Sequence, residues 1–157
     1  MSRILTRDQA VSFVHELRRD GRVVVFTNGV FDLLHPGHVR YLTQARQQGD
    51  ALIVGINSDA SVRRLSKGPG RPLNSFEDRA ELLAALAVVD AVVVFEEDTP
   101  LEIVTALQPD VLVKGADWAA DAIVGRDVVE ARGGRVVRIP LADGYSTSAI
   151  LERLRSR

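Results

Sequence analysis

The chain has 157 residues, 46% of them hydrophobic and 26% charged, with 20 basic against 21 acidic side chains and a formal net charge of −1. That length and balance predict one globular domain over residues 1–157 and argue against broad binding to nucleic acid or an anionic membrane. There is no cysteine, so disulfides, thiolate metal ligands and a cysteine nucleophile are excluded, and a reducing cytoplasm suits the chain.

From the amino terminus, Met1-Ser-Arg-Ile-Leu-Thr-Arg7 leads into a charged helix and lacks the apolar run of a signal peptide. Thr6-Arg-Asp-Gln9 fits a capping box, and Ala10, Phe13, Val14 and Leu17 recur at helical spacing. An amphipathic helix over residues 7–19, ending at Asp20-Gly21, is predicted. His15 falls off the apolar stripe and reads as solvated.

Val23-Val-Val-Phe26 is a β-branched run that prefers an extended backbone, and it empties into Thr27-Asn-Gly-Val-Phe31-Asp32-Leu-Leu-His35-Pro-Gly37-His38. Thr-Asn-Gly breaks the strand pattern, and Pro36-Gly37 prepares a helix over about residues 37–48. His35 and His38 therefore sit at a strand-to-helix junction, spaced so that they can face one way. A helix start leaves N–H groups unpaired and carries partial positive charge, so two imidazoles there add donors toward a phosphate. Gly37, without a Cβ, lets a nucleotide approach the backbone. The competing reading of an isolated H-x-x-H is a solvated or capping pair. No protein metal site is expected, because a closed zinc site takes four ligands and the chain has one other histidine and no cysteine.

Gly49-Asp50 punctuates, and Ala51-Leu-Ile-Val-Gly-Ile56 reads as a second buried strand ending in Asn57-Ser-Asp59. Asn57 and Asp59 are either ligand residues at a strand's carboxyl end or the cap of the next helical turn. Ser66-Lys67-Gly-Pro-Gly-Arg71-Pro-Leu-Asn74 has two glycines, two prolines, two cations and no apolar face. Its composition is that of a solvated linker, but its position after the second strand favours a loop whose Lys67 and Arg71 close over phosphates. Ser75-Phe-Glu-Asp78 opens a helix with Leu82, Leu83, Leu86 and Ala87 as its buried face; Arg79 falls elsewhere, as a surface cation or a phosphate ligand beside the loop. The stretch from Leu82 to Phe95 is the most apolar of the chain, but Asp90 breaks it and it falls short of a membrane span.

Ala91 to Phe95 is a third strand, Glu96-Glu97-Asp98 a solvated acidic connection, and Thr99-Pro-Leu-Glu102 the start of a helix running to Gln108. Val111-Leu-Val-Lys114 is the fourth strand. Lys114-Gly115-Ala116-Asp117-Trp118 at its end reads as a pocket lip, or as a turn whose Trp118 packs on the helix beneath. Gly125 to Arg132 forms a short helix stopped by Gly133-Gly134, followed by a strand over Arg135 to Ile139. Tyr145-Ser146-Thr147-Ser148 opens a closing helix over about residues 146–155, with hydroxyls able both to cap it and to donate to an anion. Buried strands near 23, 51, 91, 111 and 135 alternating with helices predict an α/β fold, a Rossmann-like doubly wound parallel five-stranded sheet. Its ligand crevice lies outside the carboxyl ends of the strands, where His35/His38, Asn57/Asp59, Lys114/Asp117 and Ser146/Thr147 gather.

Thr27-x-Gly29-x-Phe31-Asp32-x-x-His35-x-Gly37-His38 resembles the signature of the cytidylyltransferase-like nucleotidyltransferases, whose H-x-G-H element binds a nucleoside triphosphate and stabilises transfer at its α-phosphate. The resemblance runs from about Gly21 to Leu154. With Asn57-Ser-Asp59, Lys67-Gly-Pro-Gly-Arg-Pro-Leu-Asn74, Glu77-Asp-Arg79, Val89-Asp90, Lys114-Gly-Ala-Asp-Trp118 and Gly144-Tyr-Ser-Thr-Ser148, the chain looks like the adenylyltransferases that activate D-glycero-β-D-manno-heptose 1-phosphate. The resemblance implies ATP and the sugar 1-phosphate as partners, ADP-heptose and pyrophosphate as products, a lipopolysaccharide core or related glycan as destination, and a homodimer or higher homo-oligomer. In many bacteria such a module is fused behind a ribokinase-like sugar kinase. This chain has no room for one, so the kinase and any phosphatase are expected as separate polypeptides. Glycerol-phosphate cytidylyltransferases carry an Arg-Thr-Glu-Gly-Ile-Ser-Thr-Thr segment where this chain has Leu141-Ala-Asp-Gly-Tyr-Ser-Thr-Ser148. The missing arginine weakens that alternative and leaves the triphosphate clamp to other cations.

Carried over residue by residue, the resemblance implies catalytic roles for His35, His38 and Lys67. Thr27, Asn28, Gly29, Phe31, Gly37, Arg79, Lys114, Gly115, Tyr145, Ser146 and Thr147 are expected to bind the nucleotide. Asp32, Asn57, Asp59, Arg71, Asp117 and Trp118 are expected to bind the sugar phosphate. Mg²⁺ is expected to travel on the nucleotide phosphates. A sugar 1-phosphate is already an anionic nucleophile, so no strong general base is required, and catalysis is in-line positioning plus charge stabilisation at the α-phosphate. Two other functions stay open on the sequence: a CTP-dependent cytidylyltransferase of a polyol or amino-alcohol phosphate, and a nucleotide-binding module without turnover.

Overall fold

Strands buried on both faces satisfy their backbone groups only by pairing side by side, and the Val- and Ile-rich runs do so. The computed structural model describes residues 3–65 and 67–157; Ser66, at the start of the glycine-bearing loop, lies outside them. The strands are β1 (Arg3–Leu5), β2 (Val24–Gly29), β3 (Ala51–Asn57), β4 (Ala91–Phe95), β5 (Val111–Gly115) and β6 (Arg135–Ile139). They form one parallel sheet in the order β1-β4-β3-β2-β5-β6. The helices are α1 (Arg7–Arg19), α2 (Pro36–Arg46), α3 (Asp59–Arg64), α4 (Phe76–Ala84), α5 (Leu101–Leu107), α6 (Arg126–Ala131) and α7 (Thr147–Arg155).

The predicted sheet of five strands gains a sixth. β1 has three residues, too few to show a period of two, and it forms only because Arg3, Ile4 and Leu5 pair with Ala91, Val92 and Val93 on the outer side of β4. α1 occupies the predicted residues, with Thr6 Oγ1 accepting from the Gln9 N–H at 3.2 Å and Gln9 Oε1 accepting from the Thr6 N–H at 2.9 Å.

Alternation along β2 distributes the core. Val24 and Phe26 pack with Ala10, Val14, Leu17, Ile103 and Leu107 of α1 and α5 on one side of the sheet. Val25 packs with Leu42, Ala45 and Leu83 of α2 and α4 on the other. Each fully buried side chain of this kind contributes about 1.5–3 kcal/mol. Gly55 in β3 makes room for one of them: a Cβ there would lie 2.6 Å from Phe26 Cζ.

Helix phase departs from prediction in α4. Its inward residues are Arg79, Ala80 and Leu83, whereas Leu82 is 48% exposed and Ala87 lies exposed beyond the helix end. Ser75 caps the Asp78 N–H at 3.2 Å as predicted, and Arg79 turns inward because Asn74, Val30 and Asp59 supply its acceptors there. α5 begins at Leu101 with Pro100 in the cap position, and it ends before Gln108, whose φ of 48° is left-handed. The helix is one residue shorter at each end than predicted.

The two edges of the sheet carry different chemistry. At the amino edge, Asp50, Asp90 and Asp110, each just before a strand, accept from the N–H groups of Val23, Leu52 and Val24 at 2.7, 2.8 and 2.8 Å. The acidic connection is solvated as expected at Glu96 and Asp98, the latter in a surface pair with Arg64 at 2.6 Å, while Glu97 is half-buried and pairs with Arg7 at 2.7 Å. At the carboxyl edge the histidines and Lys114 share the cleft with Asp117. Among the described residues, no helix is long and apolar enough to cross a membrane.

Candidate active site

β2 delivers Asn28 and Gly29 to the carboxyl edge, and the turn passes through Phe31 at φ 51° before α2 starts at Pro36. His35 is the N-cap of α2. Its Nδ1 accepts from the His38 N–H at 3.3 Å, which leaves Nε2 as the protonated donor of the neutral ring. The His38 ring stacks on His35 with centroids 3.7 Å apart and meets Phe31 edge-on at 5.1 Å. Burial holds His35 below the ordinary histidine value. Burial and then the charge of His35 bring His38 down to about 4, with the Leu33 backbone acting the other way. Both rings are therefore neutral donors near pH 7. Gly37 keeps this turn closed, because a Cβ would lie 2.7 Å from Tyr145 Cβ and 2.9 Å from the His35 ring.

Facing the histidines are the end of β5 and the start of α7. Lys114, Gly115, Asp117 and Trp118 come from the first, and Tyr145, Ser146 and Thr147 from the second. Ser146 caps α7, accepting from the Ala149 N–H at 2.9 Å, and Tyr145 stacks on His35 at 6.0 Å. These groups and the β2 turn line a cavity of about 290 Å³. A second cavity, of about 440 Å³, adjoins it and is lined by Asn57 and Lys67, with Asn28, Gly29, Val30, Lys114 and Trp118 common to both. Trp118 is 49% exposed at the lip rather than packed on a helix.

Five of the predicted ligand residues are used differently. Thr27 is wholly buried, with Oγ1 2.8 Å from the Tyr41 hydroxyl and donating to the Val113 carbonyl at 2.9 Å. Alternation along β2 turns it to the α2 face, where it supports Tyr41 and lines neither cavity. Asp32, expected at the sugar phosphate, anchors the loop after Lys67: it accepts from Arg71 Nε at 2.6 Å, from the Leu73 N–H at 2.9 Å and from the Asn74 N–H at 3.0 Å. Burial alone would raise this carboxyl, but those hydrogen bonds outweigh it and hold it below the usual range. Arg71 is thus committed to Asp32, while Lys67 reaches the second cavity.

Arg79 is neither a surface cation nor an outer phosphate ligand in this arrangement. It is 1% exposed and donates to the Asn74 carbonyl at 3.1 Å, the Val30 carbonyl at 2.9 Å and Asp59 Oδ1 at 2.7 Å. Asp59 is in turn its partner rather than a cavity residue. Asn57 faces the second cavity while its amide donates to Ser61 Oγ at 3.0 Å.

Sequence reading missed Tyr41 and Leu141 in the first cavity and Leu65, Thr99 and Pro100 in the second. Tyr41 follows His38 by three on α2 and so shares its face, a signal that could have found it. Burial pushes its hydroxyl up to about 12. The others carry no local signal. Among the described residues, no group of three or more His, Asp or Glu side chains converges as a metal cage.

A parallel sheet whose carboxyl edge opposes neutral imidazoles, lysines and a helix amino terminus across a cleft is the architecture of an α/β nucleotidyltransferase. The family described as cytidylyltransferase-like matches residues 26–153. The chain is 56% identical over 156 residues to the bifunctional protein HldE of Syntrophotalea carbinolica, and 58% identical over 153 residues to that of Mesorhizobium japonicum. These matches cover 99% and 98% of this chain, but the chain spans about a third of the length of these relatives (32% and 31%). Among solved structures, a lipopolysaccharide core biosynthesis protein from Thermoplasma volcanium superposes with a TM-score of 0.68 at 30% identity, covering 78% of this chain and all of that one. Pantoate-beta-alanine ligase from Francisella tularensis, at 15% identity and a TM-score of 0.64 over 94% of this chain and 69% of that one, shares the fold. The chain belongs to the cytidylyltransferase-like family and is a nucleotidyltransferase.

Proposed function

We propose that the protein transfers AMP from ATP to D-glycero-β-D-manno-heptose 1-phosphate, releasing pyrophosphate and forming ADP-heptose for lipopolysaccharide core or a related glycan. The observation that carries the reading is the pair of adjoining cavities meeting at Asn28 and Lys114, one beside the stacked histidines and the other reached by Lys67. The similarity to HldE proteins over almost the whole chain, and to a structure described by its role in lipopolysaccharide core synthesis, supports the choice of pathway.

In this reading a phosphate oxygen of the sugar 1-phosphate attacks the α-phosphorus. The bond from that phosphorus to the bridging oxygen breaks, and pyrophosphate leaves with the electron pair. His35 and His38 donate to the phosphoryl oxygens on which charge accumulates, and the α7 amino terminus with Ser146 and Thr147 faces the outer phosphates. Lys67 closes from its loop. Mg²⁺ arrives as part of the nucleotide substrate. The reading includes a cytoplasmic location and a homodimer.

Pyrophosphate release with ATP and CTP, each crossed with heptose 1-phosphate and glycerol 3-phosphate, tests it. ATP with heptose 1-phosphate is expected to give the highest kcat/KM, and His38→Ala to lower turnover about 10²- to 10³-fold. Preference for CTP and glycerol 3-phosphate would make the protein a polyol-phosphate cytidylyltransferase. ATP binding without pyrophosphate from any pair would leave a non-catalytic nucleotide module.

A further inference from the structure

Lys114 ends β5 in the wall common to the two cavities, beside Asn28 and Trp118. An ammonium drawn out of water is stable only with a partner. Yet among the described residues Lys114 has no ion-pair partner within 4.0 Å. Its ammonium lies over the Trp118 ring, 5.5 Å from Nζ to the centroid. Burial brings its pKa down to about 8, with Asp117 pulling it up and Lys67 pushing it further down. In the same wall, Asn28 Oδ1 is buried with no hydrogen-bond partner. Lys114, half-buried and without a protein ion pair, and Asn28 Oδ1, buried without a hydrogen-bond partner, stand in one wall and are placed for a ligand that brings negative charge and a hydroxyl.

The second cavity defines that ligand further. Its wall carries the polar side chains of Asn57 and Thr99 and the cation Lys67, while its one carboxylate, Asp98, is already paired with Arg64 at 2.6 Å. The Trp118 ring already carries the Lys114 ammonium. An amino-alcohol phosphate would therefore bring its own cation beside Lys67 and Lys114, two like charges, in a wall whose carboxylate already has a cationic partner.

We propose that Lys114 holds the phosphate of the acceptor at the boundary between the cavities, with a hydroxylated, uncharged carbon skeleton extending into the second cavity. The proposal rests on the nucleotidyltransfer reading above and moves Lys114 from the nucleotide alone to the acceptor. One oxygen of the held phosphate then faces the α-phosphorus of a nucleotide in the first cavity. Lys114 and Lys67 together offset the repulsion between two anionic substrates, a requirement that neither substrate imposes alone.

The test is calorimetry on the chain loaded with a non-hydrolysable α,β-methylene analogue of ATP, titrated separately with heptose 1-phosphate, glycerol 3-phosphate and phosphoethanolamine. Lys114→Met and Lys114→Gln are each expected to weaken binding of the first two by roughly tenfold or more, as for loss of a charge-assisted contact. The affinity for the ATP analogue should stay near wild type, and Lys114→Arg should recover part of the loss. Thermal melting reports whether each variant folds, and two neutral substitutions guard against one that does not. The proposal is overturned if the analogue's affinity falls as far as the acceptor's, if the wild type binds neither phosphate, or if phosphoethanolamine binds as well as glycerol 3-phosphate. Failure of the underlying reading has another signature: the phosphates bind through Lys114 but no nucleotide yields pyrophosphate.

Discussion

The imidazoles of His35 and His38 stack at 3.7 Å with planes 19° apart, and His35 Nδ1 is spent on the His38 N–H. Two imidazolium ions cannot share that spacing without repulsion in a partly buried turn. The stack is therefore a neutral arrangement, and it presents hydrogen-bond donors to a polyphosphate without requiring either ring to be charged.

A pH dependence of stability follows. The folded value for His38 is about 4 against an ordinary 6.5. Between those values the unfolded chain binds the proton more readily. The contribution is fully present above about 6.5, declines as pH falls through the window, and levels off below about 4. Urea midpoints measured from pH 7.5 to 4.5 should show the decline, and His38→Gln should flatten it. A profile in His38→Gln identical to that of the wild type would assign the titration elsewhere.

Arg79 ties together three segments through Asn74, Val30 and Asp59. Arg79→Met leaves two carbonyls and a carboxylate without their donor and should cost about 3 kcal/mol of folding stability. Arg79→Lys keeps the charge but not the three-way fork, and should recover only part. Equilibrium denaturation separates this from a surface role, for which the change would stay within about 0.5 kcal/mol.

Gly37→Ala sets helix propensity against close packing. Propensity alone would favour alanine inside α2 by about 1 kcal/mol. The added methyl, however, would meet Tyr145 Cβ at 2.7 Å and the His35 ring at 2.9 Å. Either the imidazole or the start of α7 must shift, and a displacement of about 1 Å at a reacting centre costs on the order of 10²-fold in rate. Pyrophosphate release should fall by that order while the melting temperature changes little. Equal loss of both would point to unfolding instead.

Much of this molecule can be derived from local pattern alone. The β-branched runs of β2 to β6, the capping box of α1, the Ser75 and Ser146 caps and the histidine turn each depend on residues within a few positions of one another, where backbone preference and side-chain period act directly. The gathering of His35, His38, Lys114 and Ser146 at one edge also follows, because a parallel sheet sends every strand's carboxyl end the same way. What only the tertiary structure decided is which charges are ligands and which are braces. Arg79 turns inward to meet Val30, 49 residues away, and Asp32 closes on Arg71, 39 residues away. A charged side chain is stable in the interior only where distant partners arrive to satisfy it, and no local spacing records their arrival. β1 is the backbone counterpart: three residues become a strand solely because the edge of β4 is there to pair with them.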